Sequence, residues 1–429
     1  MSRQSDWIQS EIGSWVSEGL IDQSTGQLLR SRYADSSKGW GFSLITAIGA
    51  IIFGLGVILF FAYNWQSLPK FARLAMILFA LAAFHLLGWY VRNKNPQQHN
   101  LSEGFHLIGT MMFGAGIYLI AQIYHIDEHY PTAFLVWGAG ALLFAWVLPS
   151  IIQGLFATVL FAAWGASEVF DFYQMHLPAI ALVLFGVLPL AWHLRSRVLL
   201  GLGIIVVMGL GLINIGVHIS AELSVYVFFA IGVLLIALSY AVRFTSFVQS
   251  AEVLRTIGAA VYGIILFALT FVHRLGGGIP KIDSRVEQMV LWGSLGVAAA
   301  IWVAMCIYSV RAKFPLTRSL QHGLILLSIL VVLAQAAFTL PVSDLVYSLL
   351  YDAILAALCI LLIIRGTDNL QWRQVAIGCV ALAVLIYARF NDLFESLLMR
   401  SLVFVILGAM LFFIGHLYSR RKLREQSHA

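Results

Sequence analysis

The chain has 429 residues, of which 61% are hydrophobic and only 11% are charged, with a formal net charge of +6. A water-soluble protein needs far more polar surface, with about 25% charged residues as the norm, so this composition excludes a soluble protein. The sequence has no interleaved basic and aromatic surface of the kind that binds nucleic acid, and we expect membrane lipids as partners instead.

Residues 1–38 form a polar segment that precedes the first apolar block. Apolar residues recur there at helical spacing from Trp7 to Leu20, Gly19 is placed to end that helix, and Asp22 begins a second one. We predict a short cytoplasmic amphipathic helical segment. It either lies on the membrane surface or forms a helical hairpin that docks a cytoplasmic protein partner or the protein's own loops.

The rest of the chain is divided into apolar blocks of about 20 residues, the length that crosses the hydrocarbon core as an α-helix. The blocks are residues 40–63, 71–91, 104–124, 132–148, 150–167, 177–194, 198–217, 223–242, 254–272, 287–310, 319–339, 344–364, 372–388 and 398–418. They predict an all-α, polytopic integral membrane protein with about 14 transmembrane helices. The fourth and fifth blocks are the least clearly separated, because only Pro149 and Ser150 divide them.

The basic residues indicate the orientation of these spans. With the N-terminus inside, 19 of the 26 Lys and Arg residues fall on the cytoplasmic side and 7 on the other. Because Lys and Arg are enriched in cytoplasmic loops, we predict that both termini are cytoplasmic. The predicted segments are the helical residues 1–38, the membrane spans of 39–150, the further spans of 151–418, and a basic cytoplasmic tail at 419–429.

Three groups of residues in the first third of the chain resemble a bacterial family of membrane proteins. They are Trp15, Glu18 to Ile21 and Gln27; Phe60 to Trp65 with Leu68, Pro69 and Arg73; and Gly116 to His125 with Trp137 and Leu148 to Ser150. The family is catalogued as domain of unknown function 2157, and the resemblance lies mainly in residues 1–150. It implies a location in the bacterial inner membrane and brings no activity, substrate or catalytic residue.

Asp352 is the most informative polar residue within a predicted span. It lies 8 residues after Asp344, about 12 Å along the helix axis, where an acid is costly unless it is paired, hydrated or protonated. Tyr347 and Tyr351 precede it on the same helix, and Arg389 lies at the outer end of the next span. These four residues form either a substrate or proton site or a structural ion pair that fixes the register of the helices.

Polar and aromatic residues also follow paired glycines at the outer ends of the first and third spans. They are Asn64, Trp65, Gln122, Tyr124 and His125. Since glycines let helices approach closely, we predict that these side chains converge on one outward-facing cavity.

Several other titratable residues are weaker candidates for chemistry. His125 and His129 are four residues apart, so a continuous helix would place both imidazoles on one face as metal ligands. We favour a hydrated loop there, expect Glu168 and Asp171 to lie in a solvated loop, and predict neither a metal nor a cofactor. Histidines near the span ends, His106 among them, are expected at the membrane interface.

Many spans, short loops and polar groups within the membrane favour a transporter or flippase-like protein for a small or lipid-linked envelope substrate. The alternative is a non-catalytic membrane sensor or scaffold that signals through the N-terminal helices. An integral membrane enzyme of envelope metabolism comes third, because no outer loop is long enough for a separate domain and no catalytic motif is present. No feature of the sequence selects an oligomeric state.

Overall fold

The computed structural model describes residues 11–33, 48–56, 69–124, 129–219, 221–271, 285–337 and 344–393, together with a few isolated positions. Within this part of the chain all regular structure is helical. The helices are α1 (Gln23–Tyr33), α2 (Lys70–Lys94), α3 (His99–Tyr124), α4 (Pro131–Val147), α5 (Ile151–Phe170), α6 (Pro178–His193), α7 (Arg197–His218), α8 (Ala221–Ala241), α9 (Ser250–Leu269), α10 (Arg285–Arg311), α11 (Leu316–Ala337), α12 (Asp344–Asp368) and α13 (Trp372–Leu393). A π-helical turn, Val183–Val187, interrupts α6.

The N-terminal segment contains two short helices, residues 11–17 and α1. Gly19 has a φ of +70°, a left-handed conformation that glycine adopts without steric cost, and it lies directly after the first helix. The hydroxyls of Ser24 and Thr25 donate to the Asp22 carboxylate, which holds the start of α1 and lowers the pKa of Asp22. The described part of the predicted segment is thus helical, residues 1–10 and 34–38 lie outside the described residues, and the cytoplasmic location of the segment stays a prediction.

Ten helices in the described residues are long and apolar enough to cross a membrane, and α4 and α6 are shorter apolar helices. These helices correspond one for one to the second through the thirteenth predicted spans. The first predicted span, 40–63, is described only in part, mainly at 48–56, and the last, 398–418, lies largely outside the described residues. The prediction of an all-α, polytopic membrane protein is therefore confirmed, and the predicted span boundaries agree with the helix ends to within a few residues.

The division between the fourth and fifth spans is a true helix boundary. Helix α4 ends at Val147 and α5 begins at Ile151. Ser150 is the N-cap of α5, since its hydroxyl oxygen accepts a hydrogen bond from the backbone N–H of Gln153 at 3.3 Å. Pro149 has no N–H to donate and disfavours helical geometry at the residue before it, so the chain turns there.

The contacts divide the chain into two compact units, of which the first comprises residues 1–172 and 176–207. In this unit α2 packs along α3, and α4 packs along α5. Gly138 of α4 lies against the buried ring of Phe161, where a Cβ atom would stand only 2.8 Å from Cε1. This close contact fixes α5 against α4 and so positions the polar residues in the last turns of α5.

The second unit comprises residues 173–175 and 208–429. Helix α8 packs against α9 and α10, and α12 packs against α9, α11 and α13. Helices α8 and α9 meet at Gly232 and Gly258: a Cβ atom at Gly232 would lie 2.8 Å from the backbone nitrogen of Tyr262. Only glycine permits so close an approach of two backbones. Helix α12 is thereby surrounded by three neighbours, each of which contributes groups near its N-terminal half.

Candidate functional site

Asp352 forms an ion pair with Arg389 in the second unit. The Arg389 Nε atom lies 2.9 Å from Oδ1 and 2.8 Å from Oδ2 of Asp352. Both side chains are largely buried, with 17% of the Asp352 side chain and 14% of the Arg389 side chain exposed. A charged hydrogen bond of this kind is about twice as strong as a neutral one, so the pair joins α12 firmly to α13.

The same guanidinium also contacts α9. Its Nη2 atom donates to the Ser348 hydroxyl at 2.8 Å and to the backbone carbonyl of Thr270, and Ser348 donates to that same carbonyl. The Arg389 Cζ atom lies 4.8 Å from the centre of the Phe271 ring, within cation–π distance. We call Thr270, Phe271, Ser348, Asp352 and Arg389 the Asp352–Arg389 cluster. It connects three helices through one arginine.

The two tyrosines predicted to share the site with Asp352 lie in the core of the second unit. Tyr351 is fully buried, and its hydroxyl donates to Oε1 of Gln335 on α11 at 2.6 Å. Tyr347 is also buried and belongs to the same apolar core. The structure thus brings Arg389 to Asp352 and directs Tyr351 towards α11. The functional role of all four residues stays a prediction.

Sequence reasoning missed two members of the cluster, the Thr270 carbonyl and the Phe271 ring. Both lie just beyond the end of α9, about 80 residues from Asp352, and a backbone carbonyl has no signature in a sequence. The available signal was the polar residue Thr270 at the outer end of an apolar span.

A second polar cluster occupies the end of α5 in the first unit. Glu168 is 5% exposed, its Oε2 atom lies 2.7 Å from Nε2 of His129, and its Oε1 atom accepts a hydrogen bond from the Trp164 indole at 3.0 Å. The imidazole of His176 packs edge-on against Trp164, with 4.3 Å between the ring centres. We call these four residues the His129–Glu168 cluster. The expectation of a solvated loop at Glu168 was wrong, because the packing of α4 on α5 buries it.

Titratable groups around this cluster, outside the membrane-spanning helices, have shifted pKa values. Burial lowers the pKa of His176, opposed by the negative charge of Glu168 and assisted by His129. The hydrogen bond that Tyr130 donates to the Asp171 carboxylate raises the pKa of the tyrosine. Both effects favour the neutral forms of these two side chains.

Among the described residues, His129 belongs to no set of metal ligands. His129 directs Nε2 at Glu168, and His125 lies outside the described residues. Among the residues that the structure describes, no group of three or more His, Cys, Asp or Glu side chains could hold a metal ion. A divalent cation needs at least three protein ligands in most sites, so the described residues alone do not build one.

Two histidines that were expected at the membrane interface are buried. His106 is 5% exposed, and its Nδ1 atom lies 3.2 Å from Nδ1 of His85, whose ring stacks on Phe144. His322 is 1% exposed, and its Nε2 atom lies 3.1 Å from the Tyr240 hydroxyl. A neighbouring helix supplies each of them with a polar partner, and their position at the membrane interface stays a prediction.

The predicted outward-facing cavity is only partly covered by the described residues. Gln122 and Tyr124 are exposed at the C-terminal end of α3. Asn64, Trp65 and His125 lie outside the described part of the chain. The convergence of these five side chains stays a prediction.

The fold and its buried polar clusters define a multi-pass α-helical membrane protein. Residues 13–154 match the family model described as "Predicted membrane protein (DUF2157)". The resemblance seen in the sequence is thus confirmed over this segment, which is about a third of the chain. No curated protein and no solved structure matches the chain.

Proposed function

We propose that this chain is a transporter or flippase-like protein for a small or lipid-linked envelope substrate, and that the Asp352–Arg389 cluster is its substrate or proton site. The observation that supports this is a largely buried ion pair among helices that are apolar enough to span a membrane. Ionisable groups at such positions are costly to retain, and they commonly mark the path of a substrate, an ion or a proton.

The chemistry of the pair suggests how it would act. A guanidinium is a planar fork of donors that binds carboxylate or phosphate groups, and the Asp352 carboxylate takes such a position at Arg389. Protonation would neutralise Asp352 and weaken its hold on the guanidinium. Arg389 would then bind an anionic group of the substrate in its place, so that one proton and one anion are carried together.

The same geometry also suits a purely structural ion pair. Arg389 connects α13 to Ser348 on α12 and to the Thr270 carbonyl beyond α9, so its loss would separate helices whatever the function. A useful experiment must therefore measure folding and activity on the same variants. Asp352→Asn is the most informative change, because it removes the charge and keeps the shape of the side chain.

The test begins with a strain that lacks the protein, whose lipids and metabolites are profiled against the complemented strain. Any anionic compound that changes is loaded into proteoliposomes that contain the purified full-length chain. Wild-type protein should carry the compound in a pH-dependent manner, and Asp352→Asn should abolish both the flux and its pH dependence. The matched control is Asp368→Asn, which neutralises an exposed acid at the other end of α12.

The outcomes separate the two accounts. An Asp352→Asn protein that folds normally but carries nothing supports a functional site. An unstable variant whose flux per folded molecule is normal assigns the pair to structure. A stable variant with wild-type flux contradicts the proposed site, and a wild-type protein that carries none of the changed compounds contradicts the proposed transport.

One observation favours the alternative of a sensor or scaffold. Leu20 and Leu28 in the N-terminal segment are 68% and 65% exposed, so both apolar side chains are accessible to a partner. If this segment signals, Leu20→Ser combined with Leu28→Ser in the full chain should remove both partner cross-linking and the cellular phenotype. Asp352→Asn should then leave the phenotype unchanged, the reverse of what transport predicts.

A further inference from the structure

A groove of about 660 Å³ lies between α8 and α10 in the second unit, near the C-terminal end of each helix. Its walls are mostly aliphatic, and its tyrosines and its one arginine belong to the last turns of these helices and the segment that follows α8. The lining residues are Leu234, Ala237, Leu238, Tyr240, Ala241, Arg243, Phe244, Ile301, Ala304, Met305, Tyr308 and Phe314. The volume is within the range of about 300–1,000 Å³ that is usual for small-ligand sites.

The groove opens away from the helix core. Leu238 and Ile301 in its walls are 47% and 39% exposed, and Tyr308 is 50% exposed. For helices that cross a membrane, apolar side chains exposed in this way face lipid, so acyl chains are the natural occupants of the space between them. The apolar part of the groove therefore fits acyl chains, and the residues at the polar end of the groove determine which lipid headgroup binds there.

That end carries a positive charge beside fixed aromatic rings. Arg243 is exposed, and its Cζ atom lies 5.2 Å from the centre of the Tyr240 ring. The Tyr240 hydroxyl is in turn 3.1 Å from Nε2 of the buried His322, which fixes the ring. Aromatic side chains of this kind lie at the headgroup level, where an arginine binds phosphate with charged hydrogen bonds.

We propose that the groove binds one anionic glycerophospholipid from the surrounding bilayer. The acyl chains lie along α8 and α10, and the headgroup phosphate contacts Arg243. An apolar slot with a cation at one end complements an anionic lipid in both shape and charge. Arg243 falls on the predicted cytoplasmic side, where anionic lipids attract basic residues. This site is independent of the proposed transport function.

The test uses full-length protein in detergent, mixed with equal amounts of phosphatidylglycerol and phosphatidylcholine that have the same acyl chains. Native mass spectrometry then counts the lipid molecules retained on each protein. Wild-type protein should retain phosphatidylglycerol preferentially, and Arg243→Gln should reduce that retention about tenfold, to the level of phosphatidylcholine. The control Arg373→Gln removes an exposed arginine that also lies over an aromatic ring, Trp372, and should change nothing.

A second pair of variants tests the groove itself. Ala304→Trp places an indole in the groove and should displace the lipid, whereas Val303→Trp adds the same ring to an exposed neighbour outside the lining and should not. Retention that survives either Arg243→Gln or Ala304→Trp in a protein of normal helicity would overturn the proposal. So would a wild-type dimer that only Ala304→Trp dissociates, because a second copy of the chain would then fill the groove.

Discussion

The two compact units each contain an acid on an apolar helix that is largely shielded from solvent, and they pair it with different bases. In the His129–Glu168 cluster the partner is an imidazole that carries a charge only when protonated, and 38% of that side chain is exposed. In the Asp352–Arg389 cluster the partner is a guanidinium that is always charged, and only 14% of it is exposed. The guanidinium thus supplies a permanent positive charge, whereas the imidazole pairs as an ion in only one of its two protonation states.

The number of donors differs as well. Arg389 contacts Asp352, Ser348 and the Thr270 carbonyl at once, so it connects three parts of the second unit. His129 contacts one carboxylate oxygen of Glu168, and the Trp164 indole donates a hydrogen bond to the other. The base therefore determines how many helices the acid can hold together. We expect the Asp352–Arg389 cluster to contribute more to stability than the His129–Glu168 cluster.

The largest expected effect is that of Arg389→Ala. This change removes the guanidinium that pairs with the largely buried Asp352, and breaking such a pair costs about 3–5 kcal/mol of unfolding free energy. Denaturation of the detergent-solubilised protein, followed by circular dichroism, measures it. Arg373→Ala on the same helix is the control, and as an exposed substitution it should change the free energy by less than about 0.5 kcal/mol. Equal losses of unfolding free energy in Arg389→Ala and Arg373→Ala would show that the ion pair adds no stability. They would contradict the larger contribution expected of the Asp352–Arg389 cluster.

A smaller loss is expected from Glu168→Gln in the first unit. The amide retains an acceptor for Trp164 but cannot pair electrostatically with His129, so we expect a loss of about 2 kcal/mol. The same denaturation assay applies, with Asp171→Asn as the exposed control one turn further along the chain. A loss as large as that of Arg389→Ala would show that the type of base does not set the strength of the cluster.

Tyr351→Phe tests whether the core beside Asp352 depends on its polar contact. The variant removes the hydroxyl that donates to Gln335 at 2.6 Å and leaves that buried amide oxygen without this donor. We expect a loss of about 1 kcal/mol of unfolding free energy. If transport activity also falls in a protein that remains folded, the predicted site extends from Asp352 to Tyr351; unchanged activity confines it to the ion pair.

The smallest expected effect is the pH dependence of His176. Because burial lowers its pKa in the folded protein, the unfolded chain binds the proton more readily. The stabilising contribution of the neutral His176 imidazole is complete above pH ~6.5, and it is lost as the pH falls through the lowered pKa of His176. Melting temperatures between pH ~7.5 and ~5.5 should therefore fall less in His176→Phe than in wild type, since Glu168 and His129 remain in both.

Much of the fold follows from the sequence, because a span needs about 20 apolar residues whatever surrounds it. The contact between Asp352 and Arg389 was also predictable, since Asp352 lies within one predicted span and Arg389 lies at the end of the next. The burial of Glu168 was not, because it depends on how closely α4 packs on α5 through Gly138. The Thr270 carbonyl was also missed, because it reaches the cluster only through the packing of α9 on α12.

The proposal that the Asp352–Arg389 cluster is a functional site is tested most directly by the double variant Asp352→Asn with Arg389→Gln. Because it removes both charges, neither charge is left beside a neutralised partner, so the loss of unfolding free energy should be smaller than in Arg389→Ala, although the contacts of Arg389 with Ser348 and the Thr270 carbonyl weaken. The double variant and wild type are compared for unfolding free energy and for complementation of a strain that lacks the protein. A stable variant that fails to complement is the predicted result. A stable variant that complements fully would contradict the proposal and leave the pair with a structural role alone.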